Sequence, residues 1–280
     1  MGVSWRKPSV YVPSSDGSGG WARVRWLLPL LPIAVFLICW QVLSDANLIS
    51  RSLFAAPTQV VDELVALHFR ELPTRSLLLS HIAATLKRLL VASFIGILSG
   101  TLGGVFIGTR RGLYRFFDPL ITLFMPIPGI ALAPLFIIWL GFGDPTIIAV
   151  GSIAAFFPLV YNTAAGVRSI DPQLVRAAHI MGASRTAVLF DVYLPWAAGH
   201  VLMGVKLGLA RCWRTIVAVE FVAAASWGLG YMIWDAAEYL RAGGVYGGIA
   251  LLVVIYLVIE KGLVNTLEKY TVEKWGIVRR

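Results

Sequence analysis

The chain has 280 residues, of which 58% are hydrophobic and 14% charged, with a mean hydropathy of +0.78. This composition excludes a soluble globular domain and reads as a polytopic membrane protein. The net charge of +9 does not point to nucleic acid, because the basic residues are dispersed between apolar segments rather than gathered on one polar face. Cys39 and Cys212 lie in separate apolar runs, and His68, His81, His179 and His200 show no ligand spacing. Neither a disulfide framework nor a metal site is expected.

Residues 1–25 form a polar tail in which only Asp16 opposes Arg6, Lys7, Arg23 and Arg25, and it reads as flexible and cytoplasmic. The first span is predicted from Trp26 to about Ser44, with Pro29 and Pro32 near its start, where a missing donor matters least. It lacks a small-residue cleavage site and reads as an uncleaved anchor. A mixed extracytoplasmic region follows at 45–86. Residues 26–88 thus form one unit, ahead of a core domain at 89–265 and a cytoplasmic tail at 266–280. Within the first unit, Pro57–Phe69 gathers Val60, Val61, Leu64, Val65 and Leu67 on one helical face. It reads either as an interfacial helix lying on the membrane or as a docked surface helix.

The second span, Leu89 to about Gly108, carries Gly96, Gly100, Gly104 and Gly108 at intervals of four. Such a ridge admits a close neighbouring helix, within the subunit or between subunits. Arg110, Arg111 and Arg115 follow and mark the cytoplasmic side. The third span, about Phe117 to Leu140, contains Pro126, Pro128 and Pro134, which remove backbone donors and predict a break or kink. Broken helix is tolerated in a membrane only where protein or a water-filled cavity satisfies the freed groups. Met125 to Gly129 therefore reads as a bend lining a pathway or as packing, with Met125, Pro126 and Pro128 as path candidates. After a tight turn at Gly141 to Pro145, the fourth span runs from Thr146 to about Val167 and returns inside, ending at Arg168.

The loop at 168–197 is the longest polar interruption in the second half. Asp171 followed by Pro172 is an N-cap with proline at the first helical position, so a helix of about three turns is predicted from there through Met181. Gly182 ends it, and Ser184 caps a second short helix that stops before Pro195. The fifth span, about His200 to Ala224, holds Lys206, Arg211, Arg214 and Glu220. Charges at this depth cost about 2.5–3.5 kcal/mol each on insertion scales, so they face protein or water. Lys206 is expected to snorkel. Arg211 and Arg214, roughly 60° apart around the helix, are expected to define a basic sector. Glu220 lies about 9 Å beyond Arg214 along the axis, so its partner is sought elsewhere. Ser226 to Gly244 is an external segment that either dips into the membrane or stays outside, and the sixth span runs from Val245 to about Ile259. Basic residues crowd both tails and the loops at 110–115 and 168–185, while the other loops hold only Arg51, Arg70, Arg75, Lys87, Arg88 and Arg241. Six spans with both termini inside follow.

Ala177, Ala178, Gly182, Leu194 and Pro195 together resemble the cytoplasmic signature loop of importer-type ATP-binding-cassette (ABC) permeases. Arg176 stands where that family carries an acid. The runs DPLITLFMPIPGIALAPLFIIWLGFG, FFPLVYNTAAGVRSIDPQLVRAAHIMGAS and VAVEFVAAASWGLGYMI are similar to the permeases serving nitrate, sulfonate, taurine, bicarbonate and related small anions. The resemblance implies an all-α subunit of the type I importer kind in a bacterial inner membrane. It implies a second permease copy in a homodimer, two ATPase subunits and an extracytoplasmic substrate-binding protein. ATP and Mg would be used by the partner ATPase, with no cofactor on this chain, which has no glycine-rich P-loop. Asp171, Arg176, Ala177, Ala178, Gly182, Leu194 and Pro195 would couple to that ATPase. Arg211 and Arg214 would set a positive potential along an anion path, with Glu220 as a further path residue. The rival is an ion-coupled secondary carrier, which would place several acids at mid-membrane, where only Glu220 is found. A membrane-embedded enzyme would need a nucleophile with its base, and none is evident.

Overall fold

The computed structural model describes residues 31–46, 50, 53–69, 71–72 and 75–264. The expected tails at 1–25 and 266–280, residues 26–30 of the first span, and Arg51 and Arg70 lie outside the described residues.

The described chain is helical nearly throughout. In order come α1 (Leu31–Asp45), α2 (Pro57–Phe69), α3 (Leu77–Gly108), α4 (Arg111–Phe124), α5 (Ala133–Leu140) and α6 (Asp144–Arg168). Then follow α7 (Pro172–Ile180), α8 (Arg185–Ala187), α9 (Leu194–Ala223), α10 (Leu229–Glu238) and α11 (Ala242–Ile259). A two-residue antiparallel pairing of β1 (Glu71–Leu72) with β2 (Arg75–Ser76) precedes α3. Four stretches are long and apolar enough to cross a bilayer: Leu77–Gly108, Asp144–Arg168, Arg185–Ala223 and Ala242–Gly262. A fifth is formed by α4 with Gly129–Leu140, bent by 95°. The described part of the first predicted span, α1, has 15 residues, short of the roughly 20 that hydrocarbon requires.

The packing centre is α6. On one side it receives the α3 ridge, where Gly96, Gly100, Gly104 and Gly108 are all buried. A Cβ on Gly100 would stand 2.5 Å from Leu159 Cβ, one on Gly104 2.5 Å from Thr163 Cβ, and one on Gly108 2.9 Å from Val167 Cβ. The fours on α3 thus meet the fours on α6, a close approach that only glycine allows. The ridge is an interface within the subunit. On the other side α6 receives α9 through Gly204 and Gly208, both close to Leu159. Between these faces Ile147, Val150, Leu159, Val160 and Ile216 are fully buried. Thr163 is also fully buried, and its hydroxyl finds no hydrogen-bond partner. Thr163→Val keeps the shape and removes the stranded hydroxyl, so it is expected to stabilise the protein by about 1 kcal/mol. A raised unfolding midpoint in detergent checks this.

Several predicted boundaries change. The second span begins at Leu77 rather than Leu89, because the Ser76 hydroxyl accepts from Leu79 N at 3.1 Å and caps the helix there. Lys87 and Arg88 therefore sit inside a spanning helix instead of an outer loop. The third span starts at Arg111 rather than Phe117, and it is broken at the prolines as expected, into α4 and the Gly129–Leu140 half. The predicted stop before Pro195 is overturned, since a continuous stretch of 39 residues runs from Arg185 to Ala223. Its π-helical section, Val188–Tyr193, comes immediately before Leu194 and Pro195. A proline ring collides with the carbonyl four residues back, and the wider π turn opens the ladder at that point. Finally, α2 is a docked helix. Val60 and Leu67 are buried, and Leu64 packs where Gly247 of α11 leaves room, while Val61 and Val65 stay exposed.

Candidate functional site

The loop joining α6 to α9 forms the helical hairpin that the caps prescribe. Asp171 Oδ1 accepts from Gln173 N at 2.8 Å, and Pro172 opens α7. Asp171→Ala should fray the first turn at a cost of about 1 kcal/mol, read as faster amide exchange at Gln173 with the spans unaffected. At the other end Gly182 has φ +83°, and its N–H donates to His179 O while Ala183 N–H donates to Ala178 O, both at 3.0 Å. That double closure is a Schellman-type stop, and a β-branched residue would be strained there. Ala178 is turned inward, whereas Leu174, Ile180 and Met181 are exposed, the last two at 86% and 81%. Arg176 is exposed and borders a cleft of about 320 Å³ together with Arg111 and Arg168. Leu194 and Pro195 lie at the start of α9, within the long helix rather than in the hairpin.

The second place is the break between α4 and α5. Pro126 and Pro128 supply no N–H, so the ladder ends at Met125, and the chain turns through Pro128 (φ −63°, ψ 131°) into a 3₁₀ turn at Gly129–Leu132. The Met125 carbonyl, left without a helical donor, accepts from Arg211 Nη2 at 2.5 Å. A cavity of about 30 Å³ adjoins this contact, lined by Phe124, Ile127, Gly129, Phe157, Arg211 and Thr215 among others. It has room for about one water. Gly129 is required here, because a Cβ would run into the Thr215 side chain. Two predicted path residues from distant parts of the sequence, Met125 and Arg211, are thus brought together. The basic sector is not: Arg214 points into a separate groove of about 480 Å³ with Trp213, Tyr256 and Glu260, its Nε donating to Ala210 O at 3.0 Å. Three residues along a helix leave side chains angled apart, and here the angle sends them to different cavities.

The third place holds Glu220, whose partner is expected away from its own helix; the sequence does not point to Arg88 as that partner. Glu220, expected along the path, is fully buried and lines no wall of the broken-span cavity. Arg88 Nη1 donates to Glu220 Oε1 at 2.6 Å and to Trp227 O at 2.6 Å, and Arg88 Nε donates to Asp144 Oδ1 at 2.7 Å. Thr85 Oγ1 donates to the Glu220 carboxylate at 2.9 Å, Gly230 N–H donates to its other oxygen at 2.9 Å, and Leu229 N–H donates to Thr85 Oγ1 at 2.8 Å. His81 Nδ1 lies 2.9 Å from Gly228 O. At Gly228, φ is +147° and a Cβ would stand 2.6 Å from both Arg88 Nη1 and Glu220 Cδ. The cluster joins α3, α6 and α9 and stitches the turn before α10 onto them. It lies at the end of α6 and α9 opposite the hairpin, about 36 Å along α6 at 1.5 Å per residue. The available signal was Glu220 itself, a buried-span acid that needed a cation on another helix.

Two spans flanking α6, with α3 parallel to it and α9 antiparallel, a proline-broken span beside a small cavity, and a projecting helical hairpin define a membrane permease subunit. The chain belongs to the family of binding-protein-dependent transport system inner membrane components, which it matches over residues 92–260. It is 35% identical to the taurine transport system permease protein TauC of Escherichia coli, over 86% of this chain and 90% of that one. It is 28% identical to the nitrate import permease protein NrtB of Synechocystis, over 74% and 76%. Among solved structures, a chain of the MetNI methionine ABC transporter in an inward-facing conformation shares the fold, with a TM-score of 0.58 and 23% identity. That match covers 75% of this chain and 100% of the other. The protein is therefore the transmembrane permease subunit of an ABC importer and an inner-membrane component. Family membership implies ATPase and substrate-binding-protein partners.

Proposed function

We propose that the chain imports a small oxyanion of the sulfonate or nitrate kind. Two copies would form the path, two ATPase subunits would hydrolyse ATP with Mg, and a binding protein would deliver the substrate from outside. Both termini would be cytoplasmic. The hairpin from Asp171 through Arg176, Ala177, Ala178 and Gly182 would dock on the ATPase through its exposed apolar residues and transmit closure to α6 and α9. ATP binding would favour one permease state through its differential affinity for the two. The observation that carries the anion reading is the arginine at the broken span. Arg211 presents a guanidinium, suited to paired oxygens, beside a cavity and a flexed helix. The relatives' own substrates, taurine and nitrate by name, support it. A coupled carrier is disfavoured because Glu220, the acid it would use, is held by Arg88.

The test is ATP-driven uptake of labelled taurine and nitrate into liposomes carrying the permease with its cognate ATPase and binding protein. Gly182→Val, strained at φ +83°, should keep the spans folded and lose most of the ATP-coupled uptake. Uptake that runs on an ion gradient without ATP would overturn the reading.

A further inference from the structure

We propose that the Arg211–Met125 contact is a latch on the broken span, which the oxyanion substrate opens by competing for the guanidinium. The inference rests on the anion reading above and adds how the site senses its cargo.

The reasoning starts from the acceptor. The Met125 carbonyl belongs to the C-cap residue of α4, just before the proline break, where the ladder offers it no N–H. Arg211 supplies the missing donor from α9, so one side chain ties the movable half of the broken span to the packed core. A charged donor on a neutral carbonyl is already a strong hydrogen bond, but an anionic oxygen adds a direct attraction between opposite charges that the carbonyl lacks. A sulfonate or nitrate oxygen reaching Arg211 would therefore outcompete Met125 O. The guanidinium fork can take two such oxygens at once, whereas the carbonyl offers one atom. The surroundings fit a closed state awaiting that exchange. The adjoining cavity of about 30 Å³ admits about a single water, so an oxyanion enters only if the wall moves. The wall that can move is the break itself. From Met125 to Gly129 it is held by few internal bonds, Ile127 N–H to Phe124 O at 3.3 Å and then Ala131 N–H to Pro128 O at 3.0 Å. Opposite stands Thr215, whose side chain fills the space that Gly129 leaves. Release of Met125 would free the 95° bend to change angle only when an anion is present, which links occupancy to the shape of the path.

Amide exchange over 125–132 in the assembled permease–ATPase complex is the direct readout. Arg211→Gln removes the charge, and exchange in this segment should rise about tenfold while α3 and α6 stay protected. Arg211→Lys retains the charge with a single-point donor and should fall between; it also serves if the glutamine variant folds poorly. In the unmutated complex, taurine delivered by the binding protein with ATP should raise exchange in the same segment, and omission of taurine should not. Unchanged exchange in both variants overturns the latch, as does a taurine-independent rise. Failure of the anion reading is read separately, as wild-type vesicles that take up neither taurine nor nitrate.

Discussion

Arg88→Met is expected to destabilise the protein by about 3–5 kcal/mol, because it leaves Glu220 buried with its charge uncompensated. Glu220 is fully buried and Arg88 is 4% exposed, so water cannot replace the guanidinium. The Trp227 carbonyl loses its donor in the same step. Asp144 suffers less, since its side chain is 38% exposed and keeps Lys87 at 3.2 Å. In a domain of this size the loss should lower the unfolding midpoint in detergent by roughly 10 °C. The double variant Arg88→Met with Glu220→Gln is the informative partner. It removes both charges yet retains an acceptor for Thr85, and replacing a buried pair by neutral groups is often close to neutral. Recovery of more than half of the lost midpoint is therefore expected. A single variant as stable as wild type would remove the ion pair from the account of this fold.

The hairpin was the most legible feature because its information is local. Asp171, Pro172, Gly182 and Ser184 act on backbone groups within a few residues of themselves, and each cap forms where the residue types place it. The glycine ridge was legible for a similar reason, as a period of four on one helix states that a face is flat. What it packs against is not in that segment, so the choice of α6 came only from the structure. The break at Met125 followed from proline chemistry, yet the donor that satisfies it lies 86 residues away. The Arg88–Glu220 pair, 132 residues apart, was lost differently. A charged Lys87–Arg88 dipeptide lowers local hydropathy, so a hydropathy pattern places the start of the span after it. A charge neutralised by a distant partner looks, in a sequence window, the same as a charge in a loop.

The α3–α6 seam should respond more sharply to one glycine than to its neighbour. Gly104→Ala adds a methyl that would lie 2.5 Å from Thr163 Cβ and 2.9 Å from the Val160 carbonyl oxygen. The second of these is backbone and cannot rotate away. The helices must separate, and the expected loss is about 1–3 kcal/mol, with Gly104→Leu failing to accumulate folded in the membrane. Gly103→Ala, one residue earlier on the same helix, meets Val160 Cγ2 at 3.6 Å, an ordinary contact. There the better helix propensity of alanine should be neutral or stabilising by up to about 1 kcal/mol. Midpoints of the two variants, measured side by side in detergent, test whether the seam is set by close backbone approach or merely by small size. Equal effects would exclude the close approach. Thr163→Gly added to Gly104→Ala removes the side-chain collision but leaves the Val160 oxygen in place, so only part of the loss should return. That partial return matters for transport as well. A seam fixed by backbone contact holds α3 and α6 as one body, which leaves the broken span between α4 and α5 as the element free to change its angle.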